Sequence, residues 1–462
     1  MRSRSANGLV VLLMSALSGA WAQTAPTLGP ELDQKIPAAL AAAGAPSVSV
    51  AVVRDGHVIF AHAFGKADIA KDRLATVATR YAVGSISKQF TAAGLLLEQE
   101  QGKLSLDDKV SKYYPDLTRA GEVTIRELLS HTSGYEDYAP QDYLIPEWTH
   151  PITPDEILNR WAKKPLNFDP GTQWQYSNTN FVLAGKILEK ISGQELLPFL
   201  QQHFFEPLGM TSAGDCEVRN PEDATSYTRY ALGPPRQVGR EATGWYFAAG
   251  ELCMTAQDLA KWDVNFLQKK ILSAKSYEEL TREVKLKDGK PTHYALGLSV
   301  GEFHGTPLIS HSGEVSGFLA ANSVLPAKNA GVVVLSNEDG VNLIGPVSQM
   351  IRAMLVDPPN ATAEKQDAQV RSILQGLQQG QIDRSLFTAN ADFYFSTMAL
   401  NDYRNSLAPL GRLQLLTRQA ENHRGGMTFL AYRAHFEKNT IVLSIYLTPD
   451  GKFEQFLVEE QL

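Results

Sequence analysis

Cysteine is scarce in this chain: two residues, Cys216 and Cys253, among 462. That excludes a disulfide-dense scaffold. Neither has a Cys or His neighbour at metal-ligand spacing, so no zinc site is expected. The pair leaves open either one bridge in an oxidising compartment or two separate buried thiols. Basic charge is also in deficit, with 43 Lys and Arg against 50 Asp and Glu and a formal net charge of -7. Without a dense basic stripe, nucleic-acid binding is not expected. Beyond the N-terminus no apolar run is long enough to span a bilayer. There is no Gly-x-Ser-x-Gly elbow, no Gly-rich phosphate loop and no His-Glu-x-x-His helix. Those absences exclude an α/β-hydrolase triad, phosphate-loop chemistry and a zinc-peptidase helix, and no metal or cofactor is expected.

What is present begins with a secretory leader. Arg2 and Arg4 precede an apolar run, Leu9 to Leu17, and Ala20-Trp21-Ala22 supplies a small-x-small cleavage pattern. Residues 1–22 are therefore expected to be a signal peptide, and the mature protein to be periplasmic or secreted. No Cys follows the site to carry a lipid anchor. The length exceeds one comfortable hydrophobic core, which predicts two domains, 27–356 and 367–462. Residues 357–366 read as a linker, opening on the turn-like Asp357-Pro358-Pro359-Asn360.

The first domain opens with a helix over Glu31 to Ala43 and two strand-like runs, Val48 to Val53 and Val58 to Phe64, joined through Asp55-Gly56. A helix is predicted from Ser87 to Gln101, which places Ser85 at its N-terminal edge. Mainly helical sequence continues to about Trp262. Strands return at Tyr294 to Val300, Thr306 to Ser310, Phe318 to Leu325 and Gly331 to Ser336, before a helix over Gly345 to Leu355. Strands from both ends with helices between them predict an α+β fold: an antiparallel sheet flanked by helices, plus a helical lobe. The second domain reads as a small α+β unit, with helices at Ala368 to Gln379 and Leu400 to Leu407 and four strands between Leu413 and Val458. Its texture is similar to nuclear-transport-factor-like cones or lipocalin-like modules.

Three stretches carry chemistry. In Ser85-Ile86-Ser87-Lys88 the hydroxyl and the amine share one helix face, so Lys88 can help remove a proton from a Ser85 nucleophile. In Tyr176-Ser177-Asn178 a phenol at a loop-helix junction can act as a general base, favoured toward phenolate by a nearby ammonium, and Asn178 can bond a substrate amide. In His311-Ser312-Gly313 an edge-strand glycine leaves room for an extended acyl chain. The N–H of Glu314 then sits where an oxyanion forms, paired with the N–H of Ser85. Tyr403-Arg404-Asn405 and His423-Arg424-Gly425 match the last two patterns by type. They lack a preceding Ser-x-x-Lys in their domain, so we take them as chance.

This ordered triple resembles the serine β-lactamase and penicillin-binding protein superfamily. Further resemblance lies in Val83-Gly84-Ser85-Ile86-Ser87-Lys88-Gln89-Phe90-Thr91, Leu128-Leu129-Ser130-His131-Thr132-Ser133-Gly134, Ala248-Ala249-Gly250 and Thr255-Ala256-Gln257-Asp258-Leu259-Ala260. It spans about Leu32 to Leu355. The resemblance implies an acyl-enzyme on Ser85, proton transfer shared by Lys88 and Tyr176, substrate contacts from Asn178, and an oxyanion hole at the Ser85 and Glu314 amides. Position 311 is His where classical β-lactamases carry Lys, and neutral imidazole supplies no permanent charge for a drug carboxylate, though as a substrate-binding residue His311 can still donate a hydrogen bond or become charged near a carboxylate. The branch indicated is DD-peptidase, D-aminopeptidase or esterase, with weak β-lactamase activity left open, acting on a small-molecule or peptide substrate. The competing reading is a catalytically idle relative that binds cell-wall peptide or a protein partner. His131 is expected to tie a loop to the core.

Overall fold

The computed structural model describes residues 28–356 and 361–460. The expected leader, residues 1–22, lies outside the described residues. The chain divides into two compact units between Val356 and Asp357.

The first unit is built on a seven-stranded antiparallel sheet. Its order is Arg73–Leu74, His57–Asp68, Ser47–Arg54, Ala330–Ser336, Phe318–Leu325, Thr306–Val315 and Ser299–Phe303. Strands from opposite ends of the unit meet at the centre, with Val50 opposite Val334. The first hairpin turns at Asp55 and Gly56, both with positive φ, the backbone that suits the twist of a two-residue turn. Alternation along the central strands serves two cores. Val48, Val50, Val52, Val332 and Val334 pack under the helices Leu28–Ala43 and Ile344–Val356. Ala51, Val53, Val333 and Leu335 face the other way, toward the helical lobe.

The helix Ser87–Glu100 is the lobe's spine. It is buried on nearly all sides, including Lys88, Gln89 and Thr91. An all-round buried helix needs its polar groups paired. Gln89 accepts from Trp262 Nε1 at 2.8 Å, and Thr91 donates to the Ala248 carbonyl at 2.9 Å.

Two strand expectations shift. Tyr294 to Leu298 is not strand; Gly297 turns there with φ +71, and the strand begins at Ser299. The next strand runs on to Val315, so His311-Ser312-Gly313 lies within it rather than after it. Cys216 and Cys253 form a disulfide, with Cα atoms 4.8 Å apart.

The second unit is a four-stranded antiparallel meander, Leu413–Arg424, Met427–Phe436, Thr440–Leu447 and Phe453–Glu460. Leu430, Tyr432, Leu443 and Ile445 alternate into a core with Val370, Leu374 and Leu377 of the helix Ala361–Gln378. That helix starts inside the stretch expected as linker. Ala361-Thr362-Ala363-Glu364-Lys365-Gln366 is mostly good helix-forming sequence, and only Asp357 to Asn360 carries the prolines. Tyr403 lies on a helix with its hydroxyl on the Phe456 carbonyl, and His423 is exposed on a strand.

Candidate functional site

The chain crosses from the short strand Tyr81–Ala82 into a single 3-10 turn, Gly84–Ile86, and then into the helix Ser87–Glu100. Ser85 rides that turn. Gly84 has φ +51, and a Cβ there would come within 2.8 Å of the Glu314 nitrogen. Only glycine lets the turn approach the strand so closely.

Lys88 is fully buried one turn below. Its ammonium donates to Ser85 Oγ at 2.8 Å, to Asn178 Oδ1 at 2.8 Å and to the Ala249 carbonyl at 2.7 Å. The Tyr176 and Phe181 rings lie 5.0 and 5.5 Å from Nζ. Burial lowers the Lys88 pKa to about 7, against the pull of Asp137. Tyr176 OH donates to Ser85 Oγ at 2.8 Å. The expectation that the ammonium draws Tyr176 toward phenolate is not met: burial raises the phenol well above its ordinary value, and Asp137 adds to the rise. The amine is the better proton acceptor of the two.

Asn178 begins the helix Asn178–Ser192. Asp137 accepts its backbone N–H at 2.8 Å. Asp137 Oδ2 also lies 3.4 Å from Asn178 Nδ2. With the carbonyl of Asn178 held by Lys88, only its amide N–H groups can serve a substrate carbonyl.

The strand Thr306–Val315 supplies the opposite wall, and register decides what it offers. Val315 and Phe318 close a two-residue turn, so odd-numbered residues exchange hydrogen bonds with Phe318–Leu325 and even-numbered ones face away. On that far side Ser299–Phe303 pairs only as far as Ser310. The strand is thus not the sheet's edge, but beyond Ser310 it behaves as one, and the Glu314 N–H points out beside the Ser85 turn. Gly313 does not leave space for an acyl chain. A Cβ there would overlap the Val83 carbonyl oxygen and sit 3.3 Å from Ser85 N, so the space is filled by the Ser85 turn.

His311 is buried and carries no charge. Burial, and then the Lys88 ammonium, hold its pKa at about 4. Its Nδ1 bonds the Ser312 carbonyl, which requires the proton there, and its Nε2 accepts from Tyr294 OH at 2.7 Å. The ring therefore has no free donor for substrate.

A cleft of about 460 Å³ opens over Ser85, lined also by Tyr176, Asn178, His311 and Glu314. Asp137, Asp142, Glu241 and Glu314 place four carboxylates in its walls, and no Lys or Arg is among the described lining residues. Burial, with Asp142 and Asp339 nearby, raises Glu314 to about 7. Sequence reading missed Asp137, Glu241, Tyr294 and the Ala249 carbonyl. Only Ala249 lies in a stretch singled out by residue type, Ala248-Ala249-Gly250, and each of the four reaches the site through tertiary contact.

Comparison with known proteins places the chain, by its first unit, in a family. The penicillin-binding protein PbpX of Bacillus subtilis is 28% identical over 312 residues, covering 66% of this chain and 74% of PbpX. A D-aminopeptidase of Brucella canis is 28% identical over 327 residues, and this chain spans only 60% of its length, with 68% of the chain matched. The crystal structure of a D-stereospecific amidohydrolase from Streptomyces superposes with a TM-score of 0.62 at 26% identity, over 71% of this chain and 99% of that one. The Beta-lactamase family matches residues 32–347, more than half of the sequence, and this chain belongs to that family.

Proposed function

We propose that this protein is a serine hydrolase that works through an acyl-enzyme on Ser85. The observation that carries the reading is the pair of hydrogen bonds on Ser85 Oγ, from a buried amine with a pKa of about 7 and from a phenol. In the neutral form Lys88 takes the Ser85 proton as Oγ attacks the substrate carbonyl. The N–H groups of Ser85 and Glu314 hold the oxyanion. The proton passes through Tyr176 to the leaving amine, the C–N bond breaks, and water then releases the acid by the reverse proton route.

The substrates proposed are amides or peptides cleaved from the amino end, with the acyl residue in the D configuration. Two features support this choice. The cleft is acidic and His311 is neutral, which disfavours a substrate carboxylate near the strand. Relatives bear the names D-aminopeptidase and D-stereospecific amidohydrolase, which supports amide bonds and the D configuration. Export is proposed on the leader reading of residues 1–22, and the Cys216–Cys253 bridge suits an oxidising compartment.

The test is intact-mass analysis after exposure to a fluorophosphonate, with D-aminoacyl p-nitroanilide turnover alongside. An adduct on Ser85 and turnover that both vanish in Ser85→Ala are expected. A fully folded protein that no acylating probe labels would leave the idle binder as the better reading.

A further inference from the structure

One wall of the cleft holds a group of polar atoms that the proposed chemistry does not use. Glu241 Oε1 accepts from Ser316 Oγ at 2.6 Å, while its other oxygen, Oε2, is buried without a partner. Tyr246 OH stands close to Glu241, and Trp148 Nε1 is buried without a partner; all three residues line the cleft. Trp148 is 5% exposed. A buried carboxylate oxygen left unpaired is costly, which marks a place where a ligand can recover the lost hydrogen bond. The neighbouring Arg240 guanidinium acts on Glu241 through space, while its hydrogen bond goes to the Cys216 carbonyl and it lies over the Phe318 ring.

The position of this group fixes which half of a substrate it meets. Tyr176, the proton donor to the leaving group, stands beside His311, with ring centroids 6.3 Å apart. The leaving group therefore lies toward the His311 end of the open strand edge. The acyl half runs the other way, past Glu314 to the turn at Ser316, where Glu241 is fastened.

We infer that Glu241 anchors a primary ammonium group carried on the acyl half of the substrate. The inference rests on the acyl-enzyme reading above. Trp245 and Tyr246 supply aromatic surface around the cation, and Trp148 Nε1 offers a donor to an adjacent carbonyl. A charge-assisted bond at a half-buried carboxylate discriminates between an ammonium and its acetylated form.

The experiment compares p-nitroanilides of one amino acid, with the amino group free or N-acetylated, on the full-length protein at pH 7. Wild type is expected to prefer the free amine, and Glu241→Gln to lose about tenfold of that preference, mainly through KM. n-Butylammonium is expected to inhibit wild type competitively and the Gln variant more weakly. Gln keeps an acceptor for Ser316, and a thermal melt of Glu241→Ala reports separately on folding. An unchanged preference in Glu241→Gln overturns the inference. So does equal use of the two substrates by wild type, with both lost in Ser85→Ala, and in that case the acyl-enzyme stands. Activity that survives in Ser85→Ala overturns both.

Discussion

His131 grips the residues on both sides of Tyr176. Its ring Nδ1 accepts the Ser177 N–H at 3.2 Å, and its backbone carbonyl accepts the Gln175 N–H at 3.0 Å. The ring also packs against the Tyr176 ring, centroids 4.2 Å apart. Burial holds the imidazole well below its ordinary pKa, so it stays neutral and keeps Nδ1 as an acceptor. Beyond tying a loop to the core, it is a positioning residue for the phenol.

His131→Ala is expected to lose activity on the order of a hundredfold, in kcat more than KM, since misplacing a catalytic group costs about that much. His131→Asn should recover most of it. Asn offers an acceptor near Nδ1 and tolerates the left-handed backbone, φ +60, at this position. Equal losses in the two variants, with melting temperatures unchanged, would count against the positioning role.

The rate should rise with pH through about 7. Lys88 must lose its proton to act as base, so the active fraction grows as pH climbs past its lowered pKa and levels off above it. The measurement is kcat/KM for a neutral nitrophenyl ester, which has no amine of its own to titrate. Glu314 also titrates near 7. Glu314→Gln is expected to keep the rising limb, and its disappearance there would assign the limb to Glu314 instead of Lys88.

Gly313→Ala tests the close approach of strand and nucleophile. The added Cβ meets the Val83 carbonyl, so the Ser85 turn must move away from the Glu314 N–H. We expect activity to fall on the order of a hundredfold and stability to drop by about 1–3 kcal/mol from overpacking. A variant that melts as wild type and keeps full turnover would show that the turn can shift harmlessly.

His311→Lys replaces a neutral ring with an ammonium. Acylation by a fluorescent penicillin, which carries a carboxylate, is expected to increase by about tenfold, the usual scale for one charge-assisted bond. Gel fluorescence against time gives the rate. No increase, in a variant that still turns over a neutral ester, would mean that the drug carboxylate binds elsewhere.

Much was legible before any coordinates. The hairpin at Asp55-Gly56 follows from local turn chemistry, and the unbroken apolar run Val332 to Leu335 from burial on both faces. Ser85 and Lys88 are three residues apart on one helical stretch, so their contact is a local matter. Residues 294–298 misled, because apolar residues that turn inside a core resemble strand until Gly297 is placed.

The sequence by itself determined the local pieces: which hydroxyl stands at the head of the helix, which amine lies one turn away, and where the strands begin to alternate. Only the tertiary structure decided the chemistry's setting. Lys88 is an ordinary amine until surrounding helices strip it of water. Glu314 offers an N–H only because Ser299–Phe303 stops pairing at Ser310. Gly313 matters through Val83, which lies 230 residues earlier in the numbering. Desolvation and hydrogen-bond register depend on groups far apart in the chain, and no local pattern of residue types encodes them.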